Sequence, residues 1–213
     1  MLSRIINKLR LLLPQNTKKV FRSIYKKNAW GAKESISGPG STLAYTIQLR
    51  QQLPGILASI GIKTLLDAPC GDCNWISKIE LTGITYTGAD IVPEIIEANK
   101  IKYPDKNFIN KNIISDKLPA TDIVLCRDCF IHLRNAEIIN ALQNFKRSGI
   151  RYLLASTYPV ERNTEILTGH FRPVNLELPP FNLEAPLQKI KDFPEGSTVR
   201  YLGLWLLDDI KMK

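Results

Sequence analysis

Between residues 62 and 157, short apolar runs alternate with stretches in which apolar residues recur every three or four positions. The runs predict strands over 64–66, 85–88, 107–109, 123–126 and 152–155. The periodic stretches predict helices over 74–81, 93–103 and 136–147. Pro93 suits a first helical turn, where its missing N–H costs nothing. Upstream, 42–53 reads as a helix capped near Ser41 and interrupted by Pro54, with 55–60 continuing it. Strand and helix in strict alternation predict a parallel sheet with helices on both faces. After Pro159 the pattern dissolves into a proline-rich stretch reaching to about Pro194, and a last apolar strand is predicted over 199–207.

The start of the chain has a different pattern. Leu2, Ile5, Ile6, Leu9, Leu12 and Leu13 recur at helical spacing among Arg4, Lys8 and Arg10. Residues 1–33 hold nine of the 29 Lys/Arg and no acid, so 34–213 carry twenty charges of each sign and the net charge of +9 belongs to an arm. The predicted division is a basic amphipathic helical arm over 1–33 and one α/β domain over 34–213. The arm either packs its apolar face on the domain or, through residues 1–28, contacts an anionic membrane surface. A balanced domain argues against a nucleic-acid partner, whose basic footprint should lie on the domain itself. The absence of a secretion-like segment and of a disulfide framework leads to the expectation of a cytoplasmic protein, peripheral to the membrane if the arm docks there.

The chemistry gathers at predicted strand ends. The first strand ends in Asp67-Ala68-Pro69-Cys70-Gly71-Asp72-Cys73, a tight loop after a buried run. The second ends in Gly88-Ala89-Asp90-Ile91, where an ionised carboxylate offers acceptors on both oxygens to two ribose hydroxyls. The third leads to Asn112-Ile113, an amide and an apolar side chain suited to flank a flat base, and the fourth to Cys126-Arg127-Asp128. Each acid also has a plain structural reading: Asp67 as a helix N-cap, Asp90 as the cap of the helix that starts near Pro93. The first loop lacks the G-x-G-x-x-G that lets a backbone approach a pyrophosphate, and Asp72 would repel one.

Asp67-Ala68-Pro69-Cys70-Gly71-Asp72, together with Asp90 and the 122–128 strand, resembles the class I S-adenosylmethionine-dependent methyltransferases. The resemblance spans roughly 62–157. It implies a doubly wound, mostly parallel seven-stranded sheet, helices on both faces and an antiparallel C-terminal edge strand. It also implies S-adenosyl-L-methionine as cofactor, with contacts from Asp67, Ala68, Cys70, Gly71, Asp90, Ile91, Asn112, Ile113 and Arg127. Asn112 stands where that family usually has an acid, and Pro69 and Asp72 stand where it usually has small residues. S-adenosylmethionine has no phosphate and carries a sulfonium cation, which carboxylates tolerate or favour.

Methyl transfer asks mainly for positioning, plus a base when the nucleophile is a hydroxyl. Asp128 and His132, four apart and on one side if the segment turns helically, are the candidate catalytic pair, the acid orienting the imidazole. The other reading of His132 is local packing. His170, Arg172 and Asn175, on the proline-rich stretch, are candidate substrate contacts; an ordered cover without substrate contact is the alternative. The expected acceptor is a small molecule or a glycan end, methylated on oxygen. A protein or natural-product methyltransferase, a silent cofactor-binding module docking on a partner or membrane, and a nicotinamide enzyme are the competing readings. Cys70-x-x-Cys73 and Cys126-x-x-Cys129, with 52 residues between them, could form a thiolate zinc site or a redox pair, but small buried apolar side chains are the expectation. Glu161, Glu165 and Asp128 form no compact metal motif, and no metal is predicted.

Overall fold

The computed structural model describes residues 16–210, so the amphipathic run 2–13 lies outside the described residues. The elements in chain order are α1 (Thr17–Lys26), α2 (Ile47–Ser59), β1 (Thr64–Asp67), β2 (Thr85–Asp90), α3 (Pro93–Lys102), β3 (Asn107–Asn110), β4 (Ile123–Cys126), α4 (Asn135–Arg147), β5 (Tyr152–Thr157), β6 (Gln188–Lys191) and β7 (Tyr201–Leu206). The seven strands lie in the order β3-β2-β1-β4-β5-β7-β6. The first five are parallel, and β7 runs antiparallel to both β5 and β6.

The central strands are apolar on both faces, as a sheet covered on both sides requires. Successive residues serve opposite cores. Leu65, Ile123, Leu125 and Leu154 pack with Leu49, Leu53 and Leu57 of α2 and Ile96 of α3. Leu66, Val124, Cys126 and Leu153 pack with Ile138, Ala141, Leu142 and Phe145 of α4. Asp67, the last residue of β1, pairs in register with Gly88 on one side and Leu125 on the other, so β1, β2 and β4 end within two residues of one another.

Three local expectations change. Residues 74–81 form only a single 3-10 turn, Ile76–Lys78. Cys73 takes a φ of 54°, and Asn74 gives its amide to Glu34 Oε1 and the Ser41 carbonyl, so this segment anchors the upstream chain rather than winding on. The helix expected over 42–53 begins at Ile47 and runs through Pro54 to Ser59, leaving the Arg50 carbonyl without its usual helical donor. The antiparallel last strand lies one place in from the border. The edge belongs to β6, a four-residue strand in the proline-rich stretch with only Ile190 buried, too short and too charged to stand out as an apolar run.

Helix α1 rests on the domain. Thr17 Oγ1 donates to Glu137 Oε1 (3.0 Å), Arg22 Nε bonds Glu94 Oε1 (2.6 Å), and Phe21 packs against the α4-side core. No helix among the described residues is long and apolar enough to cross a membrane.

The loop after β3, which carries Asn112 and Ile113, is held from below by α4. Buried Asn144 Nδ2 donates to the carbonyls of Ile113 and Asp116, both at 2.8 Å. Asn144→Ala orphans two carbonyls and is expected to cost about 1–3 kcal/mol, read as a lower urea midpoint with unchanged m-value.

Candidate functional site

The ends of β1, β2 and β4 floor a cavity of about 390 Å³. Its roof is the segment before α2: Phe21, Tyr25, Trp30, Ser37, Gly38 and Gly40 line it from above. Asp72 holds that roof down. Its Oδ1 accepts from Ser35 Oγ (2.8 Å) and Ser37 Oγ (3.1 Å), and its Oδ2 accepts from the Ile36 N–H (3.1 Å). Gly71 takes a φ of 51°, and a Cβ there would run into Ser37 Oγ, so the β1 loop and the roof close only over a glycine.

Asp67 and Asp90 both line the cavity and are both buried. Tyr86 OH donates to Asp67 Oδ2 at 2.8 Å. Burial pushes the Asp67 carboxyl up to about 7, although Tyr86 and the charge of Arg127 act against it. Asp90 Oδ1 accepts from the Val92 N–H (2.9 Å) and its Oδ2 from the Gly71 N–H (3.2 Å). Burial raises Asp90 to about 6 against those two bonds. Neither acid caps a helix: Val92 is the residue before α3 and that terminus has no side-chain cap. The Asn112 amide oxygen accepts from the Ile114 N–H (3.0 Å), with Ile91 and Ile113 on the wall beside it. Cys70 and Gly71 also line the cavity. Ala68 is fully buried, and its N–H is used by the Leu125 carbonyl.

Beyond β4 the cavity meets a buried set of four charges. Arg127 donates to both oxygens of Asp192 (2.9 and 3.1 Å) and to the Gly40 carbonyl (2.7 Å). Arg200 Nη1 grips both oxygens of Asp128 (2.7 and 2.6 Å), and its Nε donates to the Asp192 carbonyl (2.7 Å). Arg127 also lines the cavity, and its Nη1 lies 3.5 Å from Asp128 Oδ2. One expectation changes. Asp128 does not orient His132: burial pushes its carboxyl up, but Arg127 and Arg200 outweigh burial and hold it below the usual range, the state of a locked anion. Asp128 also sits at a φ of 53°, its N–H bonded to Ser156 Oγ (2.9 Å).

His132 closes a 3-10 turn, Phe130–His132, and lines the cavity. Its Nδ1 donates to the His170 carbonyl at 2.9 Å, which leaves Nε2 as the basic nitrogen. Burial lowers its pKa. Trp30 stacks on the imidazole with ring centres 5.1 Å apart, and Phe171 tilts against it at 6.1 Å.

The substrate contacts expected on the proline-rich stretch are placed differently. Arg172 is buried and spends its guanidinium on the carbonyls of Phe130 and Thr164 and on Asn135 Oδ1. Asn175 donates to the Val160 carbonyl and accepts from the Glu177 N–H. Neither they nor the exposed His170 line the cavity; these side chains brace the cover, and His170 contributes its carbonyl. Residues not named as site candidates in the sequence take the wall instead: Trp30, Tyr45, Tyr158, Phe171 and Arg200.

The cysteine pairs are split by the sheet. Cys70 and Cys73 belong to the α2-side core, Cys126 and Cys129 to the α4-side core, and all four are buried free thiols. No group of three metal-ligating side chains occurs among the described residues, and Glu165 instead accepts from the Asn135 and Ile166 N–H groups.

In the folded chain Asp67 keeps its proton up to about pH 7, whereas its ordinary value is 3.8. The folded state therefore binds the proton more tightly, and this contribution to stability is lost as pH rises from about 4 to about 7. Asp67→Asn cannot titrate and is expected to lose less stability than the native chain over that window. Urea unfolding at about pH 5 and about pH 8 measures the difference.

No family model matches the chain, and no curated protein matches it by sequence. Solved structures do. Magnesium protoporphyrin IX methyltransferase from Synechocystis PCC 6803, with bound SAM, superimposes with a TM-score of 0.61 at 15% identity, over 90% of this chain and 97% of that one. The N-methyltransferase NodS from Bradyrhizobium japonicum WM9 gives 0.58 at 12% identity, over 76% and 96%. The methyltransferase domain of bacterial CtHen1 gives 0.57 at 14% identity, over 76% and 98%. With its strand order, its antiparallel β7 and its cavity at the ends of β1, β2 and β4, the chain has the fold of the class I S-adenosylmethionine-dependent methyltransferases.

Proposed function

We propose that the chain is an S-adenosylmethionine-dependent methyltransferase that methylates a hydroxyl of a sugar, a glycan end or another small polar acceptor. One observation carries this reading. Two buried carboxylates, Asp67 and Asp90, stand on neighbouring parallel strands against one cavity. Near neutral pH Asp90, raised to about 6, is mostly ionised and Asp67, raised to about 7, is about half so, and that negative charge repels an anionic nucleotide and attracts a sulfonium nucleoside. The fit extends to hydrogen bonding: each Asp90 oxygen accepts one backbone N–H, and a carboxylate has about four acceptor sites, so two remain for a ribose diol. Ile91 and Ile113 supply apolar walls for a base. The solved neighbours named above are a porphyrin methyltransferase, an N-methyltransferase and a methyltransferase domain, so the support for a hydroxyl acceptor lies in this chain's own cavity.

When bound, S-adenosylmethionine supplies an activated methyl group. The chain's own part is to hold the acceptor in line and take its proton. His132 is the residue for the second task. Its Nδ1–H is fixed on the His170 carbonyl, its Nε2 is free to accept, and its lowered pKa keeps it neutral at physiological pH. The lock on Asp128 favours one second reading, a cofactor-binding module without turnover, since it leaves His132 as the only candidate base of the expected pair.

Calorimetric titration with S-adenosylhomocysteine tests the class. Saturable binding by the native chain, at least about tenfold weaker in Asp90→Ala, is expected; absence of binding overturns the reading. The base assignment is read from pH. His132 works as a base only when neutral, so the rate is expected to fall with acidification through a midpoint below the ordinary imidazole value of 6.5. His132→Ala is expected to lower kcat about 10²–10⁴-fold with unchanged S-adenosylhomocysteine affinity. Equal turnover in that variant would show that His132 only packs.

A further inference from the structure

The two sides of helix α1 meet different surroundings. Thr17, Phe21 and Tyr25, four residues apart and so on one face, line the cavity. Val20 and Ile24 lie against the loop at Gly169, where a Cβ would meet Val20 Cγ1 at 2.6 Å and Ile24 Cδ1 at 3.1 Å. The apolar side of the helix is therefore spent on the domain. Lys18, Lys19, Arg22, Lys26 and, at the C-cap, Lys27 are all exposed. Glu94 takes Arg22 at 2.6 Å and Lys26 only at 4.0 Å. Lys18, Lys19 and Lys27 have no ion-pair partner among the described residues. The helix carries no acid of its own, so its cations repel one another until an outside anion meets them.

The sequence around the helix says which polyanion fits. A nucleic acid would call for cations spread over the domain, yet residues 34–213 carry equal numbers of each charge. Just ahead of α1, Leu2, Ile5, Ile6, Leu9, Leu12 and Leu13 recur among Arg4, Lys8 and Arg10. Aliphatic side chains interleaved with cations suit the boundary between lipid headgroups and acyl chains and offer nothing to a phosphodiester backbone. An exposed ring lies close by. Phe171 is 61% exposed, lines the cavity, and stands two residues from the Gly169 that α1 covers. It tilts against His132, on which Trp30 stacks, so the mouth of the cavity and the cationic helix are neighbours.

We propose that the outer face of α1 is a docking surface for an anionic lipid bilayer, and that docking sets the cavity mouth at Phe171 against the membrane. The cations of α1 meet the lipid phosphates, and the Phe171 ring enters the headgroup layer beside them. The bilayer thereby becomes a partner of the chain whatever reaction the cavity performs.

The full chain is sedimented with vesicles of phosphatidylcholine alone and of phosphatidylcholine mixed equally with phosphatidylglycerol. Binding at least about tenfold tighter to the mixed vesicles is expected, weakening as salt is raised. Lys18→Glu, Lys19→Glu and Lys27→Gln together are expected to weaken it by about tenfold or more, since each cation near an anionic surface is worth about fivefold. An unchanged melting midpoint separates lost docking from lost fold in this variant, and the native-chain comparison decides the matter if the variant unfolds. Orientation is read from a bimane dye, the four native thiols being buried. On Phe171→Cys its emission is expected to shift to the blue with mixed vesicles; on Leu187→Cys, exposed but outside the cavity, it is expected to stay. Equal binding to both vesicles, binding to neither, undiminished binding by the folded triple variant, or a shift at 187 without one at 171 overturns the proposal. Displacement from the vesicles by an RNA or DNA oligonucleotide at equal phosphate concentration assigns the face to nucleic acid and overturns it too. None of these readouts uses S-adenosylhomocysteine, so failure of docking and failure of the methyltransferase reading are separate results.

Discussion

Arg127, Asp192, Arg200 and Asp128 form a buried alternation of charge on which the arrangement of the cavity depends. The four residues come from the end of β4, the turn after β6 and the residue before β7. Buried ion pairs seldom add net stability over an apolar replacement, but removing one member leaves an uncompensated charge and costs several kcal/mol. The cluster is thus better understood as a device of geometry. It ties the antiparallel end of the sheet to β4, and through the Gly40 carbonyl it ties both to the roof. Each member is held by two or more bonds, so none can swing without stranding another.

The roof is the second constraint. Its residues lie far upstream of the strands they cover, and they are held by acids on the domain: Asp72 for Ser35, Ile36 and Ser37, Glu137 for Thr17, Glu94 for Arg22. The basic, serine-bearing start of the chain and the scattered acids of the domain are complementary. Polar bonds of this kind, most of them partly exposed, contribute modestly one by one. Their combined effect is to place Trp30 on His132 and to set the polar environment above Asp67 and Asp90. The same burial that closes the cavity raises both carboxyls, so cavity closure and acid titration are coupled.

Much of this architecture is local in origin. The β1–β5 runs and helix α4 arise from apolar patterns that match their burial, whereas α3 buries Asn99 and leaves Ile101 exposed; the strand predictions end within about two residues of the observed strands. Asp67 and Asp90 were legible because a parallel strand that ends in an acid followed by a glycine-bearing loop has few other uses. The segment 74–81 has a real helical spacing, but the pull of Glu34 and Ser41 on Asn74, from residues more than thirty positions away, keeps it from winding on. Strand β6 was missed because an edge strand needs only one buried side chain.

The sequence by itself determined the alternating α/β order, the parallel sheet, the two strand-end acids and the charge asymmetry of the chain, since each follows from neighbours along the backbone. The tertiary structure alone decided which polar side chains are free. Arg172 and Asn175 look like site residues in one dimension, yet both have their polar groups taken by partners brought in by folding, away from the cavity that Arg127 and Asp128 line. Arg200 looks unremarkable, yet it lines the cavity and holds Asp128 and the Asp192 carbonyl in place. A hydrogen-bonding group is available for chemistry only when the fold leaves it unsatisfied, and that is a property of contacts between distant segments.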